Sequence, residues 1–209
     1  AVESTQSDFQ RWLQQDRTGP APQPRPDAYY PLDTLELGVA QNDVERQRPG
    51  RAEESPRIVQ TAQGPAAELS GENGFVFPGT GHFNRTDAFS LALWLQPPAA
   101  PAARAVVLHH SKAPADAGSR GYELLLENGR VAFGLHYLWP GASLKVVTKR
   151  ALPLTRWSHV TATYDGSSRA AGARIYVNGE PMELEVVRDG LFKDITYTGT
   201  EPDLTIGYR

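Results

Sequence analysis

Residues 156–181 read RWSHVTATYDGSSRAAGARIYVNGEP, and this stretch decides the fold. Apolar and polar side chains alternate through its first half, which places Val160, Ala162 and Tyr164 on one face of an extended chain. The pair Asn178-Gly179 is typical of a two-residue type I′ turn, because both central residues of that turn take a positive φ. The stretch therefore predicts antiparallel strands joined by one polar loop and one tight hairpin.

The same pattern extends through most of the chain after residue 57. Within residues 89–95, FSLALWL, every other side chain is Phe or Leu, and residues 131–137, VAFGLHY, repeat the alternation. Asn128-Gly129 supplies a second hairpin signal between two such segments. Many short alternating segments separated by turns predict an all-β antiparallel sandwich or barrel. No long helical period follows residue 17, which argues against a parallel α/β fold.

The N-terminal part lacks this alternation, and the sequence as a whole predicts three regions. Residues 1–17 are expected to form a short helix, because Phe9, Trp12 and Leu13 share one helical face. This helix is either a docking helix on the domain's own flank or the tail of a preceding domain. Residues 18–27 are a proline-rich linker, and residues 28–209 form the β-sandwich. Within that sandwich, residues 28–38 could supply a strand, and residues 40–56 are expected to be a surface loop.

Composition limits the range of functions. The chain has 209 residues and a net charge of −3, so no basic surface argues for nucleic acid as a partner. The absence of cysteine excludes disulfides, zinc–cysteine sites, thiol catalysis and covalent haem attachment through Cys-x-x-Cys-His in this sequence. No apolar run approaches the ~18 residues of a membrane-spanning helix. The first residues carry no recognisable signal peptide, as expected of a mature exported protein or an internal piece of a longer one.

Several motifs in order resemble a known family. They are FSLALWLQP, GYELLLENGRVAFGL, RWSHVTATYDGSS, ARIYVNGEP and LTIGYR, which follow one another through residues 89–209. This series resembles the laminin-G-like domains of the concanavalin A-like superfamily. The resemblance implies a jelly-roll β-sandwich, and it makes Trp94 and Trp157 fold-defining structural residues.

The closer likeness is to a laminin-G-like segment inside large planctomycete-type exported proteins. Those proteins also carry a cytochrome-c-like domain and two long domains of unknown function. The likeness implies a periplasmic or extracellular location and makes the N-terminal helix the end of an upstream domain. It also implies that haem, if the parent protein holds any, lies on a partner domain, since this sequence has no haem motif.

The same family usually has one more strand after the LTIGYR motif. This sequence ends at Arg209, so we expect the sandwich to lack its final strand. An unpaired sheet edge exposes backbone hydrogen-bonding groups, which favours its coverage by another chain. The resemblance therefore predicts a partner chain or domain that completes the edge and covers the N-terminal segment through Phe9, Trp12 and Leu13.

Hydrolase chemistry is not expected in this chain. Related glucanases place three carboxylates along one strand, and the nearest match here, ELEVVRD, begins with Glu183 and Glu185. Val187 and Arg188 stand where the third carboxylate belongs, so a solvated strand face is the favoured interpretation. A polysaccharide-degrading or haem-containing redox enzyme remains an alternative for the parent assembly, with its active site on another domain or chain.

Histidine and aspartate give weak signals for metal. His109 and His110 are adjacent, so on a strand they face opposite sides and do not chelate together. The resemblance suggests calcium as the ion that the rim of the sandwich could hold, with Asp87, Asp116 and Asp165 as candidate ligands. The alternative for Asp165 is turn chemistry. No other cofactor is predicted for this chain.

Two aromatic residues are the candidate ligand-binding pair. The sequence HYLWPGAS carries Tyr137 and Trp139 towards a loop, where an aromatic ring could stack on a sugar. As alternatives, the two rings fill the end of the sandwich from inside or contact another domain. The leading interpretation is a non-catalytic recognition or docking module of a larger exported protein, and a carbohydrate-binding module is the alternative.

Overall fold

The computed structural model describes residues 25–112 and 119–208. The predicted helix at 1–17, with Phe9, Trp12 and Leu13, lies outside the described residues. So do the calcium candidate Asp116 and most of the linker 18–27.

Short strands dominate the described chain, and a single 3-10 turn occurs at Ala170–Gly172. The strands are β1 (Val39–Ala40), β2 (Gly50–Glu53), β3 (Arg57–Thr61), β4 (Gly64–Glu68), β5 (Gly74–Phe77), β6 (Phe89–Leu95), β7 (Arg104–Ser111), β8 (Ser119–Glu127), β9 (Arg130–Leu138), β10 (Ala142–Ala151), β11 (Ser158–Tyr164), β12 (Ala173–Val177), β13 (Glu180–Pro181), β14 (Leu184–Asp189) and β15 (Leu204–Ile206).

Two antiparallel sheets form the sandwich. The larger has nine strands in the order β1-β2-β5-β15-β7-β8-β9-β10-β14. The smaller has four, in the order β13-β12-β11-β6, while β3 and β4 pair only with each other. Strands that are distant in sequence become neighbours, as when β15 inserts between β5 and β7. The predicted all-β jelly-roll architecture is confirmed.

The core lies between the two sheets, where the alternating apolar faces meet. Phe133 of β9 and Val160 of β11 are fully buried, and Leu91 and Leu93 of β6 pack against the same cluster. Phe89 joins the sheets, since its ring lies 6.1 Å from that of Phe133. Burial of these side chains is the main stabilising term for such a domain.

Both Asn-Gly hairpins form as the sequence predicts. Asn128 and Gly129 have φ values of +51° and +76° between β8 and β9. Asn178 and Gly179 have φ values of +53° and +83° between β12 and β13. These paired positive values are those of a type I′ turn, whose twist matches that of the flanking strands.

Two expectations for the N-terminal part of the sandwich were wrong. Residues 40–56 do not form only a surface loop, because β2 joins the large sheet through pairing with β5. Gly50 permits this, since a Cβ at that position would lie 2.5 Å from the ring of Phe77. Residues 28–38 form no strand, and Tyr30 instead packs its ring 4.1 Å from Phe77.

The structural role expected for Trp94 was also wrong. Trp94 alternates with inward-facing leucines on β6, so its side chain stands on the outer face of the four-stranded sheet and is 63% exposed. Its ring lies 5.1 Å from that of His159 on β11. Within residues 25–112 and 119–208, no helix is long and apolar enough to cross a bilayer.

Candidate functional site

Tyr137 and Trp139, the predicted ligand-binding pair, lie in different surroundings. Tyr137 continues the inward-facing side of β9 beyond the core, and its ring meets Arg120 at the end of the sandwich. Trp139 meets His136, which stands on the outer face of the nine-stranded sheet. The structure therefore separates the expected site into two regions, which we call the rim cleft and the outer-face ring.

The rim cleft is an open concavity of about 670 Å³ at one end of the sandwich. The ends of β8 and β9 form one wall, and the segment 192–198 forms the other. The residues that line it are Arg85, Arg120, Tyr137, Phe192, Lys193, Asp194, Thr196, Tyr197 and Thr198. Its lining thus combines aromatic rings, cations and threonine hydroxyls.

Cations and tyrosine rings alternate along this cleft. Lys193 Nζ lies 4.8 Å from the centre of the Tyr137 ring, and the guanidinium carbon of Arg120 lies 4.2 Å from the same ring. Arg120 is also 5.3 Å from the ring of Tyr197, whose other neighbour is Lys112 Nζ at 4.7 Å. All four distances fall within the range of attractive cation–π contacts. Three cations are therefore held side by side by two tyrosines.

The 192–198 wall is fixed by both packing and hydrogen bonds. Leu191 and Ile195 are buried in the core, so the residues between them point outward. Tyr197 Oη donates to the Arg120 carbonyl at 2.7 Å and accepts from the backbone N–H of Lys112 at 3.0 Å. These bonds tie the wall to the ends of β7 and β8, which holds the cleft open.

Arg85 differs from the other cations of the cleft because it is already bound. Its Nε lies 3.0 Å from Asp194 Oδ1, and its Nη1 donates to Ser168 Oγ at 2.8 Å. Tyr164 Oη donates to the Arg85 carbonyl at 2.6 Å. Arg85 therefore anchors the segment of Asp194 to that of Ser168. Asp194 is the one carboxylate that the described residues contribute to the lining of the cleft.

A second shallow concavity of about 600 Å³ adjoins the rim cleft. It is lined by residues 85–86, 166–169 and 190–192, and it shares Arg85 and Phe192 with the rim cleft. Phe192 is 67% exposed and stands where the two concavities meet. An exposed aromatic ring in that position offers an apolar face to a ligand lying in either one.

The calcium candidates that the structure describes are engaged in turns. Asp165 Oδ1 accepts from the Ser167 backbone N–H at 2.9 Å, and hydrogen bonds from Ser167 lower the pKa of Asp165. Asp87 Oδ2 accepts from the Asn84 N–H at 2.8 Å. No cluster of three or more metal-ligating side chains occurs in the described part of the chain. Asp116 lies outside it, and calcium stays a prediction.

The outer-face ring is a closed set of polar contacts on β7, β8, β9 and β10. Its members are His136, Glu123, Arg104, Glu127, Lys145 and Trp139. Glu123 Oε1 lies 3.2 Å from His136 Nε2 and 3.6 Å from Arg104 Nη2. Glu127 Oε1 lies 3.2 Å from Arg104 Nε and 2.6 Å from Lys145 Nζ.

Trp139 closes the ring and Gly134 makes room for it. The Trp139 ring centre lies 5.5 Å from Lys145 Nζ and 5.6 Å from the ring centre of His136. A Cβ at Gly134 would lie 2.6 Å from His136 Nε2, so glycine lets the imidazole lie across the strand. Glu123 is only 2% exposed, although it belongs to the outer face of the sheet.

Sequence reasoning missed this ring. The signal was present in ELLLE at residues 123–127, where two glutamates four residues apart share one face of a strand. Arg104 and Lys145 lie on other strands, so only the pairing of β7 with β8 and of β9 with β10 brings them to these glutamates.

The glutamates of ELEVVRD, Glu183 and Glu185, which we call the glucanase-like motif, lie on a solvated face, as the sequence favoured. Glu185 lies 3.0 Å from Arg130 Nη1, and Glu183 lies 3.2 Å from Lys149 Nζ. Both glutamates are exposed on or beside β14, at an edge of the large sheet. Each is a surface ion pair, a kind of contact that contributes little to stability.

The adjacent histidines face opposite sides of β7, as predicted. His110 turns into the core, where its ring stacks 5.3 Å from that of Tyr122 and meets His82 at 5.2 Å. His109 faces outward, with Nδ1 3.0 Å from Ser111 Oγ. Burial, helped by the neighbouring His82, lowers the pKa of His110 from 6.5 to about 4.

Two stacked antiparallel sheets whose strands are interleaved in this order form a jelly roll. The chain belongs to the concanavalin A-like lectin/glucanases superfamily, as a Laminin_G_3 domain matched over residues 69–209. This confirms the laminin-G-like resemblance seen in the sequence. A comparison with curated proteins gives no significant match.

Solved structures with low identity share the fold. The binding domain of botulinum neurotoxin DC, in complex with rat synaptotagmin II, is 13% identical with a TM-score of 0.55, covering 83% of this chain and 42% of that one. A Trypanosoma rangeli sialidase mutant displaying trans-sialidase activity is 18% identical with a TM-score of 0.50, covering 84% and 26%. The chain therefore corresponds to less than half of either protein.

A third solved structure is also similar. Domain 4 of AbnA, a GH43 extracellular arabinanase from Geobacillus stearothermophilus in complex with arabinotriose, is 16% identical with a TM-score of 0.48. The alignment covers 80% of this chain and 77% of that domain.

Proposed function

We propose that this domain is a non-catalytic recognition module and that its ligand is a glycan held in the rim cleft. The observation that carries the proposal is the exposed aromatic lining of that cleft. Phe192 offers an open ring face, and Tyr137 lies across from it beside polar side chains such as Thr196. Sugars present apolar C–H faces and hydroxyl edges, so rings flanked by hydrogen-bonding groups suit them.

Among the described residues, the lining of the cleft lacks the pair of carboxylates that glycoside hydrolases use, and this supports a binding role. Asp194 is the one acid in its lining, and it is paired with Arg85. Glycoside hydrolysis generally requires two carboxyl groups on either side of the scissile bond. The two glutamates of the outer-face ring share Arg104 as a neighbour, so neither stands free for proton transfer to a leaving group.

The experiment that tests the proposal is a glycan-binding screen with paired variants. We expect Phe192→Ala and Tyr137→Ala each to lower binding about fivefold, since stacking on one ring is worth on the order of 1 kcal/mol. Trp94→Ala is the matched control, because it removes an exposed aromatic ring on β6 that does not line this cleft. Loss of binding in the control, with binding kept in both cleft variants, would contradict the proposal.

The parent context is a proposal of its own. We infer a larger exported protein, periplasmic or extracellular, of the planctomycete type that carries a cytochrome-c-like domain. Haem, or a polysaccharide-degrading active site, would then lie on another domain or chain. The support is the laminin-G-like motif series described above together with the family match over residues 69–209.

A docking role is the second candidate function, and one edge of the smaller sheet favours it. Among the described residues, β6 pairs with β11 on one side and with no strand on the other. Trp94 is exposed on this edge strand beside His159. We propose that a partner chain or domain adds a strand to β6 and covers this tryptophan.

Native mass measurement of material purified from its source tests the docking role. We expect a complex, or a longer polypeptide, rather than a lone 22.9 kDa species that melts cooperatively. Recovery of that lone species would contradict the partner. The glycan screen is independent of this result, because the rim cleft and the β6 edge share no residue.

A further inference from the structure

The charges of the rim cleft narrow the class of its ligand. Arg120, Lys193 and the adjacent Lys112 form no ion pair with any carboxylate of the described residues. Among the described residues, the lining holds three cations (Arg85, Arg120, Lys193) and one carboxylate (Asp194), a net charge of +2. The whole chain has a net charge of −3, so the cleft is opposite in sign to the protein that carries it.

We propose that the rim cleft recognises an acidic polysaccharide, whose sugar rings carry carboxylate groups. The inference rests on the proposed glycan-binding function and specifies its substrate class. Water screens much of the repulsion between these solvent-accessible cations, so they remain unpaired at little cost when the cleft is empty. Each of them is then available to attract an anion that enters the cleft.

Arg120 has the geometry for a carboxylate. Its guanidinium carbon lies 4.2 Å from the centre of the Tyr137 ring, and its backbone carbonyl accepts a hydrogen bond from Tyr197 Oη. A cation–π contact uses the charge of the guanidinium and not its N–H donors, so the N–H edge of the fork stays available. That edge forms two parallel hydrogen bonds with a carboxylate, which gives specificity as well as attraction.

Lys193 links the charged and apolar parts of the cleft. Its Nζ lies 4.8 Å from the Tyr137 ring and 6.0 Å from the Phe192 ring. A sugar ring against Phe192 would therefore place an acidic substituent within reach of an ammonium group. A neutral glycan would use the same aromatic ring and leave both cations without an anion.

The experiment compares two polymers with the same sugar backbone, one carrying free carboxylates and the other methyl esters. Isothermal titration calorimetry of the full chain with polygalacturonate and with its fully methyl-esterified form isolates the carboxylates on one sugar backbone. We expect binding of polygalacturonate to be at least about tenfold tighter, because charge-assisted hydrogen bonds are lost on esterification. Raising the salt from about 0.05 M to about 0.5 M weakens only the acidic polymer's binding.

Variants assign the effect to residues. Arg120→Gln and Lys193→Gln each reduce polygalacturonate binding by about tenfold and leave the weak binding of the esterified polymer unchanged. Arg120→Lys keeps the charge but loses the fork, so it recovers part of the affinity. Lys149→Gln is the matched control, because Lys149 is an exposed cation on β10 outside the cleft lining.

The outcomes separate this inference from the function on which it rests. Equal binding of the two polymers, both dependent on Phe192, would overturn the acidic specificity and keep the glycan site. Tight binding of dextran sulfate without binding of polygalacturonate would overturn the carboxylate assignment. If no glycan in the screen depends on Phe192 or Tyr137, the proposed function itself fails. Circular dichroism of each variant ensures that lost binding is not lost folding.

Discussion

The outer-face ring and the rim cleft use the same side-chain types in opposite ways. In the ring, Lys145 contacts Trp139 but also has Glu127 at 2.6 Å. In the cleft, Lys193 contacts Tyr137 and has no carboxylate within ion-pair distance among the described residues. The first region satisfies its charges internally, whereas the second leaves them for something else to satisfy.

Burial explains why the two regions differ. Glu123 and His136 are almost fully buried, and a charge withdrawn from water requires a partner inside the protein. Lys193 is exposed, so water can solvate it when the cleft is empty. An unpaired buried cation would destabilise the fold, while an unpaired exposed one costs little and stays free to bind. The comparison therefore indicates a structural role for the ring and supports the recognition role that we propose for the cleft.

The largest expected effect comes from breaking the ring. Glu123→Ala should lower the free energy of unfolding by about 3–5 kcal/mol, because it leaves His136 and Arg104 without this buried partner. Urea denaturation measures the loss, and glycan binding at the cleft should be kept under conditions where the variant is folded. A change below about 0.5 kcal/mol would show that the ring does not hold the sheet together.

Acidification should produce the next largest effect, through His110 in the core. This histidine has a pKa of about 4 when folded, against 6.5 as its ordinary value. The neutral His110 side chain contributes fully to the free energy of unfolding above pH 6.5. This contribution is lost as the pH falls towards 4, because the unfolded chain then binds a proton at this histidine more readily than the folded chain does. The shift corresponds to about 3 kcal/mol.

Denaturation midpoints measured across that pH range test this prediction. We expect His110→Phe to fill the place beside Tyr122 and to flatten the slope between pH 6.5 and 4. His159→Phe, which changes a histidine on the outer face of the other sheet, is the control and should keep the slope. An unchanged slope in the His110 variant would assign the pH dependence to other groups.

A matched pair of lysine substitutions tests the comparison directly. Lys145→Gln and Lys193→Gln remove the same charge from a lysine beside an aromatic ring. We expect the first to cost about 1–3 kcal/mol of stability, since Glu127 loses its closest cation, and the second less than about 0.5 kcal/mol. Thermal denaturation of the two variants under the same conditions measures these two losses of stability. Equal losses would remove the distinction between the two regions.

The smallest expected effect belongs to the glucanase-like motif. Glu185→Gln breaks an exposed pair with Arg130, so its stability cost should stay below about 0.5 kcal/mol. Glycan binding should not change, and no hydrolysis of laminarin should be detected before or after the substitution. Hydrolysis by the unchanged chain that is lost in this variant would return the enzyme interpretation to consideration.

The sequence was most informative where local rules decide the structure. Alternation identified the inward residues of β6, β9 and β11, and the Asn-Gly pairs identified two hairpins. It was weaker at Gly50, where β2 forms because the ring of Phe77 passes close to a residue without a side chain. It was wrong for Trp94, because a motif can mark a strand without showing which face a residue occupies.

Only some of the residues of the candidate site could be predicted from the sequence. Tyr137 could be chosen as an aromatic near a loop, but Phe192, Lys193 and Tyr197 lie in a stretch without a motif. Their role depends on Leu191 and Ile195 entering the core and turning the intervening residues outward. Trp139, two residues from Tyr137, belongs to the ring instead.

The sequence by itself determined the period of the strands, the position of the tight turns and the family. These follow from side-chain alternation and from the backbone freedom of Asn-Gly, both of which act over a few residues. Only the tertiary structure decided which cations form ion pairs with carboxylates and which contact only tyrosine rings. The physical reason is that such pairing depends on the order of strands in the sheet, which joins residues as distant as Arg120 and Lys193 around one cleft.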